Sequence, residues 1–155
     1  LTYFAADGPV SGLFLSGTSA STPEPENGSP RYFLNHLGNI RRDEWAREII
    51  NNYVGEEKTR SGEMAYKELL EADEQPIISG LKSMITYNVS EQLTTTDVEA
   101  LVVAGEKDNA ITEKKSRSLA SFLQCEVVEI DATHLMTFER PERMAELLTE
   151  FVSQI

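Results

Sequence analysis

At 155 residues, with 40% hydrophobic and 26% charged side chains, the chain has the size and composition of a globular domain. A formal net charge of −12 argues against nucleic acid or an anionic membrane surface as a partner, because both call for clustered Lys and Arg. No run approaches the roughly 18 apolar residues of a membrane-spanning helix, no secretory leader is read, and a single cysteine, Cys125, leaves no internal disulfide framework, so a reducing, cytoplasmic setting is expected.

In chain order, Leu1 to Gly8 (LTYFAADG) reads as the end of a helix, and residues 10–16 (VSGLFLS) as a short apolar strand that runs into the polar stretch GTSAS. Residues 21–30 (STPEPENGSP) hold three prolines and a glycine and read as loop. Four separately amphipathic stretches follow: Arg31 to Leu37, Asp43 to Val54 with Trp45, Ala46, Ile49, Ile50 and Tyr53 on or near one face, Ser61 to Ala72 with Met64, Ala65, Leu69 and Leu70, and Gln75 to Tyr87. Arg41 and Arg42 precede Asp43 and Glu44 and read as a solvated helix start. Short helices inserted between two strands are expected to form a cap that excludes water and shapes a pocket; an ordinary helical subdomain is the other reading.

Two later segments carry the chemistry. Val98 to Asp108 (VEALVVAGEKD) is an apolar run that stops at an acidic loop, and Cys125 to His134 (CEVVEIDATH) is one that stops at a histidine. Between them Thr112 to Leu123 reads as a helix, with Thr112 as N-cap and Leu119, Ala120, Phe122 and Leu123 as its apolar stripe. Strand, helix, strand is a parallel crossover, so the C-terminal ends of both strands share one rim, with adjacent strands roughly 5 Å apart. Asp108 and His134 are expected to meet there. A carboxylate on one imidazole nitrogen fixes the tautomer and leaves the other nitrogen to take a proton from a nucleophile. Each residue also has a plainer use, Asp108 in capping a turn and His134 in bonding within its loop.

GEKD after an apolar strand, and then THLMTFERPERMAELLTEFV from Thr133 to Val152, resemble the closing part of the α/β-hydrolase fold. The resemblance implies an α/β architecture: a partial hydrolase sheet of parallel strands, at about 10–16, 98–104 and 125–130, with crossover helices and an inserted helical cap. It divides the chain into a core segment (1–21), a helical cap (22–92) and a C-terminal core (93–155). It implies that Asp108 is the acid and His134 the base of a triad, and that a final helix opening at Pro141 covers the sheet with Met144, Leu147, Leu148, Phe151 and Val152. The implied activity is hydrolysis of an ester or small amide as a small-molecule substrate, with no cofactor. The alternatives are a noncatalytic hydrolase-like receptor or scaffold, and an epoxide hydrolase or dehalogenase with an aspartate nucleophile.

No G-x-S-x-G elbow occurs in the chain; the nearest stretch, Gly17 to Ser21, is followed by loop rather than by the helix an elbow needs. Ser19 therefore reads as a polar strand-end residue. The nucleophile is expected from a preceding half of the enzyme, on the same or a separate chain, which also supplies partners for the open strand edges. His36 falls on a cap helix, Cys125 opens a strand as a small buried hydrophobe, and the sequons at Asn27 and Asn88 matter only in a secreted protein. The two histidines, His36 and His134, have no partners at metal-ligand spacing, and no metal is expected.

Overall fold

The computed structural model describes residues 10–22, 29–54 and 59–155, and the helix end read at Leu1 to Gly8 lies outside them. The chain divides into two compact units, one built from the chain up to Ser21 together with Asn88–Ile155, the other from Thr22–Tyr87.

The first unit is a parallel sheet. Strand β1 (Gly12–Ser16) pairs with β2 (Glu99–Gly105), and β2 with β3 (Glu126–Ile130), in the order β1-β2-β3. β1 starts at Gly12 rather than Val10 because its partner begins at Glu99, the residue in register with Gly12. Successive strand residues point to opposite faces. On one face Val103, Ile130, Ala132, Met136, Met144 and Leu147 form a core with Phe14, Leu101 and Val128 packed against it. Helix α8 (Pro141–Val152) closes that face, with Pro141 in its first turn and Met144, Leu147 and Phe151 buried. The stripe is narrower than expected: Leu148 and Val152, one step round the helix, are exposed.

Helix α6 (Glu113–Leu123) connects β2 to β3 and packs on β2 through its buried Leu119, Ala120 and Leu123. Thr112 takes the N-cap position, but its side chain makes no capping bond. The helix stops because Gln124 adopts a left-handed conformation (φ 53°) and the Cys125 N–H closes on the Ala120 carbonyl at 3.0 Å. That closure delays β3 to Glu126 and leaves Cys125 half-buried. Burial still pushes the Cys125 thiol above its ordinary pKa.

The second unit holds helices α1 (Pro30–His36), α2 (Arg42–Tyr53), α3 (Arg60–Glu71) and α4 (Glu74–Ile85). Ser29 caps α1 by accepting the Tyr32 N–H at 3.1 Å, and Thr59 caps α3 by accepting the Gly62 N–H at 3.0 Å. Phe33, Trp45 and Ala46 form the core, and the Trp45 indole N–H donates to the Phe33 carbonyl at 2.9 Å. Arg41 behaves as a solvated helix start, paired with Asp43 at 3.0 Å. Arg42 does not. Its guanidinium lies 4.8 Å from the Trp45 ring centroid and donates to the carbonyls of Leu69 at 2.9 Å and Ala72 at 3.1 Å, so it binds the C-terminus of α3. On α3, Tyr66 and Leu69 turn inward while Met64 and Leu70 are exposed, which shifts the buried stripe from the one read in the sequence.

Residues 88–92 group with the sheet. The Val89 N–H donates to the Ala20 carbonyl at 2.8 Å, and the short helix α5 (Ser90–Leu93) buries Leu93. The last short helix, α7 (Met136–Glu139), lies between His134 and α8. Among the described residues no helix is long and apolar enough to cross a membrane.

Candidate active site

Beyond Gly105 and Ile130 the chain makes two loops that are laced together. Glu106 N–H donates to the Ile130 carbonyl at 2.9 Å, and Lys107 N–H to the Ala132 carbonyl at 3.0 Å. The lacing is tight enough to exclude a side chain at Gly105, where a β-carbon would lie 2.5 Å from the Ala132 oxygen and 2.7 Å from the Thr133 oxygen. Lys107 and Arg140 both pair with Asp131 on the outside of these loops. The hydrogen bond and charge of Lys107 hold the Asp131 carboxyl below the usual carboxylate range. These pairs are exposed, so they contribute little stability.

The lacing delivers Asp108 to His134. His134 Nδ1–H donates to Asp108 Oδ2 at 2.9 Å. Asp108 Oδ1 accepts two backbone N–H groups, from Ala110 and Ile111, each at 2.8 Å. Both carboxylate oxygens are thus committed, and the side chain is 1% exposed against 25% for His134. A buried carboxylate satisfied in this way stays put and accepts from one defined imidazole nitrogen, so Nε2 points to the far side of the ring. The turn-capping use of Asp108 and its contact with His134 coexist, because each engages a different oxygen.

Gly17, just past β1, lies against the ring. Its φ of 56° is a conformation that favours glycine, and a β-carbon there would lie 3.4 Å from His134 Nδ1 and Cε1. Next to the histidine in sequence, Thr133 donates its backbone N–H to Glu139 at 2.8 Å and its hydroxyl at 2.6 Å. Gly17, Gly105 and Glu139 were not singled out from the sequence. The available signal was an isolated glycine at the end of each of two strands, which often marks close backbone approach.

The remaining candidates, Ser19 and His36, engage other partners. The buried Ser19 donates its hydroxyl to the Ser21 carbonyl at 2.6 Å, and Ser21 bridges to Asn88, so no helix starts in the described residues 20–22 directly behind it. His36 belongs to the helical unit, where Nδ1 lies 2.9 Å from the Tyr32 carbonyl and the ring stacks on Tyr32 at 4.0 Å between centroids. Among the described residues no cluster of three or more His, Cys, Asp or Glu is arranged to hold a metal ion.

No protein-family model matches the chain. Among curated proteins, 3-oxoadipate enol-lactonase 1 of Acinetobacter baylyi is 27% identical over 88 residues, 56% of this chain and 33% of that protein. Among solved structures, the enol-lactonase from Burkholderia xenovorans LB400 aligns with a TM-score of 0.85 at 19% identity, over 98% of this chain and 60% of that one. A thermophilic esterase from Thermogutta terrifontis aligns at 0.81 with 23% identity, over 99% of this chain and 60% of that one. The chain therefore spans a third of the length of the curated relative, 33%, and 60% of each of these structures. The parallel sheet with its helices is the C-terminal portion of an α/β-hydrolase fold, as the closing motifs GEKD and THLMTFERPERM implied.

Proposed function

We propose that this chain supplies the base and the acid of a hydrolase that cleaves an ester or small amide through a nucleophile, His134 and Asp108. The nucleophile and the oxyanion donors come from a preceding half of the enzyme, on the same or a separate chain. The observation that carries this reading is the 2.9 Å bond from His134 Nδ1 to an Asp108 carboxylate whose other oxygen is already held by two backbone N–H groups.

In this mechanism His134 Nε2 takes the proton of the attacking hydroxyl as it bonds to the substrate carbonyl carbon. Asp108 stabilises the imidazolium, which then protonates the departing alcohol or amine. The same nitrogen next removes a proton from water, which attacks the acyl intermediate, releases the carboxylic acid and returns the proton to the nucleophile. The names of the relatives favour the ester class, since a lactone is a cyclic ester and another relative is an esterase.

We assign the cap role to the helical unit Thr22–Tyr87, a reading supported by its insertion in the chain after β1. β1 lies at an edge of the sheet among the described residues, which supports a strand of the preceding half as its neighbour. A fluorophosphonate probe with a panel of esters and lactones tests the reading on the complete enzyme. Labelling of a serine in the preceding half, outside these 155 residues, together with ester turnover, is expected; neither labelling nor turnover would refute it.

A further inference from the structure

The loop that carries His134 is gripped from behind by a carboxylate that the proton chemistry does not use. Glu139 Oε2 accepts the Thr133 backbone N–H at 2.8 Å, and Oε1 accepts the Thr133 hydroxyl at 2.6 Å. The same hydroxyl oxygen accepts the Leu135 N–H at 3.3 Å. The residues on either side of the histidine are therefore tied into one hydrogen-bonded ring.

That ring is anchored in the core. Glu139 ends α7, whose Met136 is 1% exposed, and α8 starts at Pro141 and buries Met144, Leu147 and Phe151. On the N-terminal side Ala132 is 1% exposed, and its carbonyl accepts the Lys107 N–H of the acid loop. Bonds to an ionised carboxylate are roughly twice as strong as neutral ones, and a two-oxygen grip fixes orientation as well as distance.

We propose that Glu139 is a positioning residue for the histidine: by holding both donors of Thr133 it sets the height and tilt of the imidazole against Asp108. Its consequence for turnover rests on the hydrolase reading above, whereas its effect on the order of the loop does not. Without the carboxylate, Thr133 loses two acceptors at once and the residues flanking His134 are free to shift. A displacement of about 1 Å at a reacting group can cost about 100-fold in rate. The loss falls on kcat, because Glu139 acts through His134 on the proton transfer.

The test compares Glu139→Ala, Glu139→Gln and Thr133→Val with His134→Ala in the complete enzyme, and follows the NMR resonance of the proton on His134 Nδ1. Glu139→Ala is expected to lower kcat roughly 10- to 100-fold, with KM changed by no more than about two-fold. Glu139→Gln, which keeps one acceptor oxygen, recovers part of the loss, and Thr133→Val adds little to Glu139→Ala. The Nδ1 proton resonance broadens or vanishes in Glu139→Ala and persists in Glu139→Gln. Should Glu139→Ala unfold, Thr133→Val removes the hydroxyl's bonds to Glu139 and Leu135, keeps the backbone N–H bond to Glu139, and carries the same expectation in weaker form. Wild-type kcat with a sharp Nδ1 resonance in Glu139→Ala overturns the proposal. If His134→Ala itself keeps full turnover, the hydrolase reading falls, and the resonance alone decides whether Glu139 orders the loop.

Discussion

Gly105 and Ala132 pass so closely that a β-carbon on the glycine would stand 2.5 Å from the alanine carbonyl oxygen. The glycine is needed for space, because its φ is not in the left-handed region. Gly105→Ala should push the two loops apart, lower stability by about 1–3 kcal/mol, and lengthen the Asp108 to His134 bond. Thermal unfolding measures the first effect and the His134 Nδ1 proton resonance the second. A variant with unchanged melting temperature and an unchanged resonance would show that the loops are not laced as described.

The helical unit depends on Arg42. One guanidinium reaches two carbonyls at the end of α3, those of Leu69 and Ala72, and covers the Trp45 ring. Arg42→Met keeps the apolar stem and removes the donors, and should cost about 1–3 kcal/mol. Arg42→Lys should restore only part of this, since a single ammonium lacks the rigid fork that spans both carbonyls. Circular dichroism during urea unfolding separates the two variants, and equal stability of Arg42→Met and the native chain would contradict the assignment.

Much of the fold could be read from the chain because apolar runs with abrupt polar ends mark buried parallel strands. Asp108 and His134 were visible as the residues at those ends, and Pro141 as the start of the last helix. What escaped were contacts whose partners lie elsewhere in the sequence. Arg42 looked like a surface charge because its acceptors sit 27 and 30 residues away. The exposure of Met64, Leu148 and Val152 escaped for a related reason: periodicity reports that a helix has an apolar stripe, not how wide a surface its neighbour offers. The Glu139 grip on Thr133 follows from the short turn of α7, which is too brief to leave a periodic signal.

Cys125 gives a pH-dependent expectation. Burial raises its pKa in the folded protein, so as pH rises the unfolded chain loses the thiol proton first. The contribution to stability is fully present below the ordinary thiol pKa and is lost as pH climbs through the raised value in the folded protein. Iodoacetamide should modify Cys125 more slowly in the native protein than in denaturant, and Cys125→Ser should show a shallower fall in stability on the alkaline side. Equal alkylation rates in the two states would remove the basis for this expectation.

The central claim is that Asp108 and His134 act as one proton-handling couple, and ester turnover by the complete enzyme carrying His134→Ala tests it most directly. Removing one member of such a triad typically costs about 10⁴-fold or more in kcat, so a loss of that order with an unchanged circular dichroism spectrum and melting temperature is the expected result. Turnover within a few-fold of the native rate in that folded variant would contradict it.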